Sequence, residues 1–271
     1  MSEASLSSTA VTSPAGTSTA VPSTAGPSTA ITIAIDGPSG SGKSSVSRAV
    51  ARELGLRYLD TGAMFRAVTW WCAQQRIDLT DLAAVARAAG DIPLTMGTDP
   101  ENPHVRVGQT GVDEAIRTPQ ISGVVSAVAT NPQVRSYLAD EQRRIIAEAR
   151  TAGPGIVVEG RDITTVIAPK AEHRILLSAS EEARLGRRSA ELADRGESQP
   201  AEDLRDQVIR RDRDDATVSA FFTPADGVHG IDTSSLTFAQ SVAAVLDVVH
   251  AASATRPEPP AHPTACNPGA S

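Results

Sequence analysis

Ile31-Thr32-Ile33-Ala34-Ile35 runs through Asp36 into Gly37-Pro38-Ser39-Gly40-Ser41-Gly42-Lys43-Ser44, and the fold turns on this stretch. Its first five residues are apolar or β-branched without alternation, which suits a strand buried on both faces of a parallel sheet. Residues 37–44 match G-x-x-x-x-G-K-[ST]. Beyond them, Val46, Ala49, Val50 and Leu54 fall on one face of a helix over 44–54. Strand, glycine-rich turn and helix in this order form a phosphate cradle. The glycines let the backbone wind its N–H groups inward at an anion, and the helix N-terminus adds its dipole. Lys43 is then placed to reach the outer phosphates of a nucleotide, and the Ser44 hydroxyl to ligate Mg2+.

Outward from the loop, the sequence predicts strands at 156–158 and 174–177 and a weaker one at 228–232. Helical patterns cover 65–74, 120–129, 134–149, 181–195, 201–211 and 238–251. Alternating strands and helices indicate an α/β fold with a parallel core sheet. Residues 78–118 break the alternation with a short helix around 82–89 and strand-like pieces at 92–95 and 104–107. This reads as a small α+β insert on the carboxyl edge of the sheet.

The ends differ in character. Residues 1–30 contain 25 Ser, Thr, Ala, Pro or Gly and one charge, Glu3, too little apolar surface to offset the entropy of ordering. They have neither a basic stretch nor an apolar one, so a secretory signal is not expected. Residues 252–271 carry five prolines and read as a second loose tail. The foldable chain is therefore 31–251, enough for one domain.

Composition excludes several classes. With a net charge of -7 and 3% aromatics, the chain lacks the basic patch and stacking surface of a nucleic-acid binder. No run approaches ~18 apolar residues, so no membrane partner is expected. Cys72 and Cys266 are too few for a disulfide framework, and a reducing, cytoplasmic setting is the expectation. The basic residues are 23 arginines and two lysines, Lys43 and Lys170.

The sequence has neither N-K-x-D nor D-x-x-G, which a guanine-nucleotide switch requires. Ile156-Val157-Val158-Glu159 is followed by Gly160-Arg161-Asp162 rather than by the second acid of a motor ATPase. Arginines recur instead where chain ends face the loop, at Arg66, Arg117 and Arg161. A guanidinium grips a phosphate at two points, and ligands of open α/β sheets bind beyond the carboxyl ends of the strands. The pattern fits an acceptor that carries a phosphate, which needs alignment and cations rather than a general base. Arg184, Arg187 and Arg188, with Arg210, Arg211 and Arg213, lie on acidic helices where i,i+4 pairing is the simplest expectation.

Ile-Asp-Gly-Pro-Ser-Gly-Ser-Gly-Lys-Ser at 35–44, Tyr-Leu-Asp-Thr-Gly-Ala-Met-Phe-Arg at 58–66, Ile-Arg-Thr at 116–118 and Val-Val-Glu-Gly-Arg-Asp-Ile at 157–163 together resemble the bacterial cytidylate kinases. The resemblance extends from about Ile31 to Ala251. It implies phosphorylation of CMP and dCMP by ATP with Mg2+, in pyrimidine nucleotide metabolism, by a monomer. The implied fold is the three-layer P-loop NTPase fold, with an NMP-binding insert at about 78–118 and a helical lid at about 181–222. Carried over by position, ATP is held by Gly37, Pro38, Ser39, Gly40, Ser41, Gly42, Lys43, Ser44 and Ser45. Thr61 and Arg66 belong to the acceptor site, with Arg66 and Arg161 on the CMP phosphate and Arg117 and Asp162 at the cytosine edge. Arg211 and Asp215 lie near the sugar and the transferred group, and Lys43, Arg161 and Arg211 are the catalytic cations. The chemistry agrees, because an exocyclic amine suits the Asp162 carboxylate, while O2 and N3 suit Arg117.

One departure stands out. After Arg211-Asp212-Arg213-Asp214-Asp215 the family continues with Ser, any residue and Arg, but this chain reads Ala216-Thr217-Val218, and no arginine occurs between Arg213 and Arg256. The expectation is a weakened enzyme, or one in which Arg213 substitutes. A kinase of another monophosphate such as UMP, and a nucleotide-binding protein with a degenerate lid, remain open on the residues alone.

Overall fold

A computed structural model describes residues 30–194, 196 and 200–254. The expected tails fall outside these residues, except for Ala30 and a final helix that continues to Ala254. Among the described residues, eight strands and eight α-helices follow in chain order. They are β1 (Ile31–Asp36), α1 (Lys43–Glu53), β2 (Arg57–Asp60), α2 (Thr61–Gln74), α3 (Leu82–Asp91), β3 (Leu94–Met96), β4 (Val105–Val107) and β5 (Thr110–Gly111). Then come α4 (Pro119–Ala129), α5 (Pro132–Ala152), β6 (Gly155–Gly160), β7 (His173–Ser178), α6 (Glu181–Asp194), α7 (Ala201–Ala216), β8 (His229–Asp232) and α8 (Phe238–Ala254).

The central sheet has the order β2-β6-β1-β7-β8 with every pair parallel. Its middle strands are apolar on both faces because helices cover both. Ala34, Leu59, Ile156 and Val158 pack on one side with residues of α2, α3 and α5, among them Met64, Val85 and Leu138. On the other side Ile33, Ile35, Val157, Ile175 and Leu177 meet Val46 and Val50 of α1 and Val245 and Val249 of α8. The result is the expected three-layer α/β/α arrangement around a parallel sheet. Several helix starts are fixed locally. Thr118 and Asn131 cap α4 and α5 with side-chain oxygens, and Pro119 and Pro132 begin those helices, where a missing N–H costs nothing.

Within residues 78–118, β3, β4 and β5 form a small antiparallel sheet beside α3. The strand-like pair expected there is present, and Thr110–Gly111 adds a third strand in a stretch read as turn. β2 was not expected. Only Tyr58 and Leu59 of its four residues are buried, too short a run for periodicity to register. Helices α6 and α7 are joined by an apolar contact of their own, Leu192 with Leu204 and Val208.

Candidate active site

The floor of the site lies beyond the carboxyl ends of β1, β2 and β6. Gly42 caps α1 in the left-handed conformation, φ 87°, which glycine adopts without strain. Lys43 and Ser44 open the helix, and both meet Glu159 at the end of β6. The Ser44 hydroxyl donates to its Oε1 at 2.6 Å, the Tyr58 hydroxyl reaches the same oxygen at 3.3 Å, and Lys43 Nζ lies 4.0 Å from Oε2. Glu159 is buried, and that burial, aided by the charge of Asp60, pushes its carboxyl up to about 7. Burial also pulls the Lys43 ammonium below its usual value, against the attraction of Glu159 and with help from Arg161 and Arg211. Three cations and a buried acid thus converge where the loop would hold phosphate.

The facing wall carries the remaining arginines. Asp60 caps α2 by accepting from Ala63 N–H at 2.9 Å, and its other oxygen takes Arg117 Nη2 at 3.0 Å. Arg66 donates to Ser122 Oγ at 2.6 Å and Ile116 O at 3.3 Å. Burial, reinforced by Arg211, holds its guanidinium well below the ordinary range. Thr61 donates to Glu159 O at 2.8 Å. At this crossing Gly160 is needed, since a Cβ there would lie 2.5 Å from Thr61 Oγ1.

Helix α7 closes the cleft. Arg161 Nη1 donates to Asp212 Oδ1 at 2.7 Å, and its Nη2 lies 3.0 Å from Asp215 Oδ2, which Arg211 Nε approaches at 3.7 Å. Arg161 Nη2 and Arg211 Nε are nonetheless buried without a well-formed hydrogen bond, an arrangement suited to an incoming anion. The Arg161 guanidinium also stacks over Phe221, 4.4 Å from the ring centre. One residue further along, Asp162 pairs with Arg135 of α5.

These groups line one partly open cleft with a cavity volume of about 150 Å³. Of the residues expected from sequence, it is lined by Ser39, Gly40, Lys43, Ser44, Thr61, Arg66, Arg117, Arg161, Asp162, Arg211 and Asp215. Ser41, Gly42 and Ser45 line an adjoining open groove toward Arg187 and Phe238. Gly37 and Pro38 line neither; Gly37 is packed on the backbone of Leu177, where a Cβ would lie 2.4 Å from its carbonyl oxygen.

The sequence reading passed over Asp60, Arg135, Glu159 and Asp212, which hold the others in place. It also placed the α6 arginines in surface pairs. Arg188 does pair with Glu191 at 2.7 Å, but it lines the cleft. Arg184 is buried, pairs with Asp212 across the helix pair and donates to Ser39 O at 3.2 Å. Arg187 donates to Ser41 O at 3.2 Å and to Thr233 Oγ1 at 3.0 Å. The i,i+4 rule sees only a helix's own acids, and these partners are more than 25 residues away. Arg213, expected as a replacement for the absent lid arginine, is exposed and does not line the cleft; Arg135 and Arg188 do.

Residues 33–251 match the family described as cytidylate kinase. The chain is 44% identical over 221 residues to a cytidylate kinase of Streptomyces avermitilis, covering 81% of this chain and 93% of that protein. It is 45% identical over 222 residues to that of Streptomyces coelicolor, with 81% and 93% covered. To that of Nocardia farcinica it is 46% identical over 209 residues, with 76% and 88% covered. A buried acid under a phosphate loop, a wall of arginines and this length of shared sequence lead to one conclusion: the chain belongs to the cytidylate kinase family.

Proposed function

We propose that this chain phosphorylates CMP and dCMP with ATP, with the acceptor in the arginine-walled cleft and the donor along residues 37–45. The observation that carries the residue roles is the convergence of Lys43, Arg161 and Arg211 on one cleft, two of them with buried nitrogens lacking a well-formed hydrogen bond. In this reading Arg66 and Arg161 hold the CMP phosphate, whose oxygen is already anionic and attacks the γ-phosphorus of ATP without a general base. Lys43 and Arg211 oppose the charge that develops on the moving group and the leaving ADP oxygen. Arg117 and Asp162 meet the base, Asp215 the sugar, and Thr61 supports the acceptor side. Residues 181–222 act as the lid and 78–118 as the NMP-binding insert.

Mg2+ fits the oxygens present. The Ser44 hydroxyl donates its hydrogen bond to Glu159, which leaves the hydroxyl lone pairs free for a hard cation. Among the described residues there is no cluster of three acidic, His or Cys ligands, as suits a metal that arrives on the nucleotide. When bound, the ion neutralises charge on the β- and γ-phosphates.

The enzyme is read as a cytoplasmic monomer without a nucleic-acid partner. Among the described residues, no helix is long and apolar enough to cross a membrane. A coupled assay of ADP release with CMP, dCMP, UMP and AMP tests the function. Turnover with CMP and dCMP well above the others is expected, and ADP appearing only with UMP or AMP would overturn it. With UMP, the uracil O4 would face the Asp162 carboxylate, acceptor against acceptor.

A further inference from the structure

Asp212 stands where the donor and acceptor sides of the site meet, and it is given no contact with either nucleotide. It lies on α7 and is 3% exposed. A single oxygen, Oδ1, accepts from Ser39 N–H in the phosphate loop at 3.1 Å and from Arg161 Nη1 beyond β6 at 2.7 Å. The other oxygen, Oδ2, takes Arg184 Nη1 of α6. That nitrogen also donates to Ser39 O at 3.2 Å, so both backbone polar groups of Ser39 are held by the helix pair α6–α7. Helix α6 presses on the next residue as well, since a Cβ on Gly40 would lie 2.8 Å from Arg184 O. One carboxylate therefore joins the loop read as the donor site, the arginine read as the acceptor site, and both lid helices.

We infer that Asp212 is a positioning residue that couples the two nucleotide sites, so that a nucleotide on the phosphate loop strengthens the grip of Arg161 on the acceptor, and the reverse. The inference rests on the proposed placement of the donor along residues 37–45 and of the CMP phosphate at Arg161. Arg161 gives Nη1 to Asp212, while its Nη2 is buried without a well-formed hydrogen bond among the described residues. The anchored side of the guanidinium fixes its plane, and the other side is left for an anion. A nucleotide that orders Ser39 also orders Asp212 Oδ1, and through it Arg161. The second ligand then meets an arginine already set, and the cost of immobilising it is not met twice. Linkage makes the effect equal in both directions.

Asp212 must stay ionised to act in this way. Burial works to raise its carboxyl, but Arg161, the Ser39 N–H and Arg184 outweigh it and hold the group below the ordinary carboxylate range. The helix pair itself has a separate support, because Leu192 of α6 packs against Leu204 and Val208 of α7. Removing the charge at residue 212 therefore unties the loop from Arg161 while the apolar contact keeps α6 on α7.

The test is calorimetric titration of the full chain with ADP and CMP, a pair with no γ-phosphate to transfer, each measured alone and with the other saturating. In the parent each ligand should tighten the other by the same factor, about fivefold or more. For Asp212→Asn that factor should fall to about one, while ADP alone binds nearly as it does to the parent. A residue with a structural role only would weaken ADP and CMP alone and leave the factor in place. That result overturns the proposal, as does the absence of any mutual tightening in the parent. If Asp212→Asn does not fold, Arg184→Gln, which removes the partner of Asp212 Oδ2, takes its place, and a parental factor there overturns the proposal. Arg161→Gln separates the two levels. Unchanged affinity for CMP alone in that variant removes the reading of Arg161 beneath the proposal, whereas a weakened affinity there, with a parental factor in Asp212→Asn, removes only the role of Asp212.

Discussion

Asp36 shows how one buried carboxylate can organise a site it does not touch. It is 1% exposed, and it accepts from Ile163 N–H at 2.9 Å, Thr164 N–H at 2.8 Å and the Thr164 hydroxyl at 2.6 Å. Those donors begin a π-type turn over Ile163–Ile167, directly after Arg161 and Asp162. Burial outweighs these bonds and pushes Asp36 up to about 6 from 3.8. The folded state therefore binds this proton more tightly than the unfolded chain does. The associated stability is complete below pH 3.8 and disappears as pH climbs through about 6, a change on the order of 3 kcal/mol. Thermal unfolding at pH 4 and pH 6.5 should show the parent losing more stability over that interval than Asp36→Asn; parallel losses would contradict it. At Lys43 the expectation is simpler. Lys43→Ala removes the ammonium from the phosphate loop, and kcat should fall by roughly a thousandfold or more while the fold stays intact. Substantial residual turnover in the coupled assay would refute that role.

Elements were legible in the sequence where periodicity had room to speak. The buried strand at 31–35, the loop and helix after it, and the long helices at 134–149 and 238–251 all carry enough apolar positions to show their period. β2 does not, and its recognition came only through the quoted block at 58–66, not as a strand. The site divides in the same way. Glycines and Lys43 belong to a spacing that can be read locally, whereas Arg135 and Arg184 take their roles from partners at Asp162, Ser219 and Asp212. No local pattern encodes such a distance. The chain after α7 yields the prediction that belongs to this scale. Val218 lies between the helix end and Ser219, and its N–H closes the last turn on Asp215 O at 3.2 Å. Val218→Arg should raise kcat/KM for CMP by about tenfold, through one added charge-assisted bond to substrate. No change, in an enzyme that is already fast, would show that the absent arginine is not missed.

Across the whole molecule, stability is unevenly distributed. The sheet sits between two extensive cores, while among the described residues the buried apolar contact of α6 and α7 is Leu192, Leu204 and Val208, supported by Leu185. What attaches them to the sheet is mainly charge: Asp212 accepts from Ser39 N–H at 3.1 Å, Arg161 and Arg184. Units with few apolar contacts open first. Hydrogen exchange should thus be faster for the amides of 181–216 than for β1 and β6, and slow there when both nucleotides bind; uniform protection would contradict this division. The register of the sheet has a further consequence. Ile35 lies opposite Glu159, Asp36 opposite Gly160, and Asp60 opposite Glu159, so three strands finish at one level. A shift of β6 by a single residue would turn Glu159 to the other face and strip Ser44 of its acceptor. The reactive centre is in effect cut to the tolerance of the strand ladder, while the parts that choose a substrate hang from its ends. Adding or deleting one residue within Gly155–Gly160 would dismantle the chemistry, whatever the length of the parts that hang from the strand ends.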